Sequence, residues 1–377
     1  MGNTNRREFI ASLSAVAAVL PFSGIASNVK AEAVKEKSTL NFVLLGDLHF
    51  DKFKHHDVHY MREHYPNDIG QVTNYSRITW ENLPELMKRI KVIANQMDAA
   101  FILQMGDFLE GLAGSKELAT LQAQEFIQFV ADHEMGRPFI VTKGNHDITG
   151  TGSKEVYRDT VLPWQEKELQ RSISSSNVSF VHKNARFVMF DGYRGAESLN
   201  WLKTILSQHK EKHLFFSVHE PVVPYNSRSS WHVFNKNPEL YQELVNLLGR
   251  HGAIVFGGHL HKTCILARKT PFGKFVQIGI GSVINDLDGP VKDHLQGIEN
   301  YNSDLVLLEP DFSPSSLQMR REILKRESPF ITHYEYADFN GYGTVKIKKD
   351  QEVELSIYAN IDHKPWTTVN LSNLLKG

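Results

Sequence analysis

The chain of 377 residues contains a single cysteine, Cys264, so neither an internal disulfide framework nor a thiolate metal cluster is open to it. Any bound metal must be held by histidine, asparagine or carboxylates. An excess of one charge is also missing. Formal net charge is −1, from 42 Lys and Arg against 43 Asp and Glu, which leaves no global basic field to hold a nucleic acid backbone. No uninterrupted apolar run reaches the roughly 20 residues of a membrane span, and repeats and low-complexity tracts are lacking. Composition, 41% hydrophobic and 23% charged, is that of a globular protein. Length permits one large core or two domains.

The first stretch differs in kind. Asn5-Arg6-Arg7-Glu8-Phe9-Ile10 sets two adjacent arginines ahead of the apolar run Ile10 to Phe22, and Ala31-Glu32-Ala33 offers an A-x-A cleavage site. The pattern predicts a twin-arginine signal peptide over residues 1–33. Its apolar run is too short for an anchor, and no cysteine follows it to carry a lipid. A periplasmic or secreted bacterial protein is expected, with the twin-arginine translocation machinery as a partner during export and no membrane span in the mature chain.

From Leu40 onward one grammar recurs. Asn41 to Leu45 is a short apolar run ending in Gly46-Asp47, as expected of a buried strand entering a loop. Ala99 to Met105 ends in Gly106-Asp107, and Pro138 to Thr142 is followed by Asn145-His146. His213 to Val218 ends in His219, and Ala253 to Phe256 ends in Gly257-Gly258-His259. Between these runs lie stretches of helical period at about Trp80 to Met97, Ser115 to His133, Ser198 to His209 and Pro238 to His251. Strands alternating with helices imply an α/β core, in which ligands sit outside the carboxyl ends of the strands. All five polar endings are therefore expected to meet in one place. Beyond Gly257 the alternation stops. Thr263 to Arg268, Lys274 to Ile280, Gly343 to Lys348 and Val353 to Tyr358 read as strands, and a short helix is expected from Ser315 to Arg326.

In order, the endings are Gly46-Asp47-Leu48-His49, Gly106-Asp107, Gly144-Asn145-His146-Asp147, His219 and Gly258-His259-Leu260-His261. This set resembles the calcineurin-like metallophosphoesterase family over roughly Leu40 to Ser282. The chemistry agrees with the resemblance: a carboxylate can bridge two cations while neutral imidazoles and an amide oxygen complete each shell without excess negative charge. Residues two apart in an extended segment project to one side, so Asp47 with His49, and His259 with His261, can both face the ions. Taken singly, each residue would read as a turn former, a helix cap or a core histidine.

The resemblance implies an α/β sandwich of two mixed sheets flanked by helices. The catalytic domain would span residues 40–283, and a C-terminal β-rich extension, 284–377, would complete or abut it. Two divalent or trivalent ions (Fe, Mn or Zn) are implied, one held by Asp47, His49, Asp107 and His261, the other by Asp107, Asn145, His219 and His259. The implied reaction is hydrolysis of a small-molecule phosphate ester by a hydroxide between the ions. His146 would protonate the leaving oxygen, and Asp147 would orient its ring. A phosphodiesterase acting on a nucleotide or an envelope phosphodiester is the enzyme alternative, and a metal- or phosphate-binding protein on the same scaffold is the non-enzyme one. After Asp107 comes Phe108-Leu109-Glu110, without the tyrosine of purple acid phosphatases. The segment Asp51 to Gly70, rich in His and Lys, reads as a solvated loop or a substrate lid.

Overall fold

The computed structural model describes residues 40–231, 237–309 and 316–376, and the expected signal segment lies outside them. Two mixed sheets face each other. The first has strand order β14-β13-β12-β1-β2-β3 and the second β10-β11-β8-β9-β7-β6-β5-β4. The strands are β1 (Leu40–Leu45), β2 (Ile102–Gln104), β3 (Phe139–Val141), β4 (Val178–His182), β5 (Ala185–Met189), β6 (His213–Ser217) and β7 (Ile254–Gly257). They continue with β8 (Thr263–Thr270), β9 (Gly273–Gly279), β10 (Lys292–Gln296), β11 (Ile331–Asp338), β12 (Gly341–Ile347), β13 (Val353–Ala359) and β14 (Thr367–Asn370).

Side-chain alternation explains the layering. On β1, Phe42 and Leu44 enter the core between the sheets, while Val43 and Leu45 pack under the outer helices. On β6, Phe215 faces inward, and Leu214 and Phe216 face out. Phe42 is the hub of the inner core, with ring centroids 5.1 Å from Phe101, 5.4 Å from Phe187 and 5.2 Å from Phe215. Burying each such ring stabilises the fold by roughly 2 kcal/mol. Helices Leu83–Gln96 and Lys116–Asp132 cover the first sheet, and Ala196–Leu206 and Pro238–Arg250 cover the second.

The caps are those the sequence supplies. The Ser115 side chain accepts from the Leu118 N–H at the start of Lys116–Asp132, and Asn237 accepts from Leu240 ahead of Pro238. The helix expected at about Trp80 to Met97 forms as Leu83–Gln96, and another helix directly precedes it. Ile69–Glu81 ends at Asn82, and Leu83–Gln96 begins with Pro84 in its first turn, where a missing N–H costs nothing.

Strands from the last ninety residues enter both sheets. β12 pairs antiparallel with β1, Leu40 opposite Ile347, and β11 pairs with β8. β1, β2 and β3 run parallel, as do β5, β6 and β7, so their carboxyl ends gather on one edge of the sandwich. Among the described residues no helix is long and apolar enough to cross a membrane.

Candidate metal centre

Each polar ending is held where backbone meets side chain closely. Gly106 has φ +95°, and a Cβ there would lie 2.4 Å from His219 Nδ1. A Cβ on Gly144 would lie 2.1 Å from Asp107 Oδ1. Glycine at these positions is what lets strand-end backbones close on the neighbouring ligand. The D-x-H and H-x-H segments are not extended, as alternation had suggested. His49 (φ 45°), Asp107 (φ 52°), His259 (φ 72°) and His261 (φ 53°) all adopt the left-handed conformation, which costs non-glycine residues energy and concentrates at functional sites. Leu48 and Leu260, buried between the paired ligands, anchor the two turns in the core.

Six of the seven candidate ligands fall into two close groups. Asp47, His49 and His261 present ligand atoms within 4.8 Å of one another, and so do Asp107, His219 and His259. Asp107 Oδ2 lies 2.9 Å from His219 Nε2 and 4.0 Å from His49 Nε2, between the two groups. Asp47 is held from behind by the backbone N–H of His259, at 2.8 and 2.9 Å to its two oxygens.

The donor set suits cations. His49 Nε2 and His261 Nε2 face each other at 3.0 Å, and His219 Nε2 faces His259 Nδ1 at 3.2 Å. Two imidazole nitrogens share at most one proton, whereas a cation takes both lone pairs. Among the described residues, Asn145 Oδ1 is buried without a hydrogen-bond partner, a state that a polar oxygen rarely keeps and that a metal would resolve.

The sequence matches the calcineurin-like phosphoesterase family over residues 40–263, more than half of the chain. The chain belongs to that family. Membership implies a dinuclear metal centre and metal-dependent hydrolysis of phosphoesters, and the two His/Asp groups stand where such a centre would form. Among solved structures, a purple acid phosphatase from yellow lupin (Lupinus luteus) seeds superposes with a TM-score of 0.52 at 12% identity, covering 91% of this chain. The chain spans only 56% of that protein. A dimetal phosphatase from Danio rerio gives 0.53 at 12% identity, covering 88% of this chain and 99% of its own. At these identities the similarity is one of fold. No curated protein matches the chain.

Around the candidate ligands, outer partners fix the His219 and His49 rings. His219 Nδ1 donates to the Met105 carbonyl at 2.8 Å, leaving Nε2 for the centre. His49 Nδ1 lies 2.6 Å from Glu110 Oε2, and Gln71 donates to the other Glu110 oxygen at 2.8 Å. Tyr75 stacks on the His49 ring, centroids 4.4 Å apart. Burial drives the Glu110 carboxyl up to about 8. Burial opposes charge on Asp107 as well, but the His219 and His146 imidazoles outweigh it and hold that carboxyl well below the usual range. His219 is lifted to about 10 despite burial, because Asp107 lies against it.

Asp147 does not orient the His146 ring. Its carboxylate accepts from the backbone N–H groups of Asp107 (3.1 Å), Leu109 (3.1 Å) and Gly144 (2.7 Å), tying the second and third motifs together, because it lies under the loop on the buried side. Burial, followed by the nearby Asp107 charge, raises it to about 7. The His146 ring is held by Glu110 instead: its Nδ1 donates to the Glu110 carbonyl at 2.7 Å and lies 3.5 Å from Glu110 Oε2. Glu110 is thus a site residue that sequence reasoning missed. Its signal was position, three residues after Asp107 and just ahead of Gly111.

The segment from Asp51 is ordered, not a solvated loop. His55 and His56 are buried, His56 Nε2 bonds Asp51 at 2.7 Å, and His55 Nε2 lies 3.2 Å from Glu125. His59 and His64 are on the exposed side of helix Val58–His64.

Proposed function

We propose that the chain hydrolyses a small-molecule phosphate ester at two metal ions. Asp47, His49, Asp107 and His261 would hold one ion, and Asp107, Asn145, His219 and His259 the other. The observation that carries this reading is the place of Asp107, whose Oδ2 stands between the two donor groups. When bound, such ions lower the pKa of water and offset charge on the phosphate. Fe, Mn and Zn all accept these donors.

The protein side of the reaction falls to His146. With Nδ1 donating to the Glu110 carbonyl, Nε2 is the nitrogen that can pass a proton to the leaving oxygen as the P–O bond breaks. The His146 backbone N–H donates to Asp107 Oδ1 at 2.8 Å, so the acid and the bridging carboxylate are fixed relative to each other. The test is turnover of an aryl phosphate monoester and diester by the purified chain before chelation, after it, and after ions are restored. Loss and recovery of activity are expected. A chain that holds two ions and turns over neither ester would be a binding protein on this scaffold.

We further propose export in the folded, metal-loaded state, on the strength of Arg6-Arg7 and of a site whose ligands come from distant strands and so exist only after folding. Replacing both arginines with lysine should leave active protein in the cytoplasm still carrying residues 1–33. Normal export and cleavage of that variant would contradict this route.

A further inference from the structure

Beside the metal centre lies a cavity of about 500 Å³ that hydrolysis of a simple ester does not need. Its wall carries Lys143, Lys154, Arg158 and Arg194 against one carboxylate, Asp191, together with the serine run Ser174-Ser175-Ser176. A second cavity, opening at Asn145, shares Ile148, Lys154 and Tyr193 with the first. A continuous path therefore leads from a metal ligand, over Tyr193 and Lys154, into the basic recess.

The groups along that path are built to donate. The Tyr193 hydroxyl is buried and, among the described residues, has no hydrogen-bond partner, at the wall common to both cavities. Lys143 stands 5.8 Å from the ring centroids of both Tyr157 and Tyr193 and is held by Asp191. Among the described residues Lys154 has no ion-pair partner. Arg158 pairs with Asp159 and Arg194 with Glu197, close in sequence on an exposed surface, each through its Nε and Nη2, and among the described residues neither Nη1 makes such a bond. Such surface pairs are weak, and a guanidinium exchanges them readily for an anion that takes two parallel hydrogen bonds.

We propose that the natural substrate carries a second phosphate, held in this recess by Lys154, Arg158 and Arg194 while its scissile ester lies at Asn145 and His146. The inference rests on the proposed phosphoesterase reaction and names its substrate class, a bisphosphorylated small molecule. Water cleaves one P–O bond and the leaving oxygen takes a proton, while no bond to the second phosphate forms or breaks. Two guanidinium groups and an ammonium group outnumber what a single carboxylate would use, which favours phosphate as the second anion.

The test compares butyl phosphate with butane-1,4-diyl bisphosphate on the metal-loaded chain, using an aryl phosphate as reference, in wild type, Arg158→Gln, Arg194→Gln and the double variant. Both arginine side chains are on the surface, at 67% and 38% exposure, so folding is preserved. Wild type should prefer the bisphosphate through KM. Each single variant should lose about tenfold of that preference, the fold-change of one charge-assisted hydrogen bond, with aryl phosphate kcat/KM unchanged. Equal use of butyl phosphate and bisphosphate by wild type would overturn the proposal while leaving the phosphoesterase reading intact. So would an equal loss on aryl phosphate and bisphosphate in the variants. Absence of turnover on all three esters would overturn both.

Discussion

Glu110 Oε2 lies 2.6 Å from His49 Nδ1, with both side chains sealed from solvent. Because Nδ1 is engaged, Nε2 is the nitrogen left for a metal, and the ring cannot turn away. An outer partner of this kind fixes the orientation of the imidazole toward the ion.

Glu110→Gln should therefore weaken binding of the ion assigned to His49 by about 10–100-fold, the usual cost of losing such a partner. The ion at Asn145, His219 and His259 should be much less affected. Competition against a chelator, read separately for the two ions, checks it.

His146→Ala should keep both ions and lose about 10²–10⁴ in rate, the range for general acid catalysis. The loss should shrink as the leaving group becomes more acidic. Rates on a series of aryl and alkyl esters measure that slope, and a flat series would assign His146 a positional role.

Asp147→Ala should act on stability. Three backbone N–H groups lose their acceptor, and leaving buried donors unsatisfied costs about 1–3 kcal/mol each before relaxation. A lower urea midpoint, with metal content falling alongside, is expected. Full stability combined with lost turnover would return Asp147 to a chemical role.

Glu125 is held down to about 2 from its ordinary 4.5: although burial opposes its charge, Lys52, Lys54 and His55 outweigh it. A depressed carboxyl contributes stability that is complete above the unfolded value near 4.5 and is lost as pH falls through about 2. The lysines are exposed, so the contribution is modest, about 1 kcal/mol. In urea titrations of the metal-free chain, Glu125→Gln should lower the midpoint at pH 7, and the gap to wild type should close between pH 4.5 and 2.

What could be read from the sequence follows from range. Asp47, Asp107, Asn145, His219 and His259 each end or closely follow a short apolar run, so strand and ligand are encoded side by side, and the parallel sheet brings the endings together. Interactions decided in three dimensions were hidden. Nothing local tells that β12 will lie beside β1, Ile347 opposite Leu40, or that Glu110 will reach back to both His49 and His146. Asp147 looked like a partner for its neighbour, yet the turn at His146–Ile148 aims it at the backbone of another motif. The order in Asp51 to His64 depends on Glu125 and Gln122, more than fifty residues away.

The central claim is that Asp107 joins two ions in one site, and metal stoichiometry tests it most directly. Elemental analysis of the purified chain should give two ions in wild type. His49→Ala, which touches one ion, should keep the other, whereas Asp107→Asn should lose most of both together with activity. One ion per chain in wild type, or an active Asp107→Asn variant with both ions in place, would contradict the dinuclear assignment.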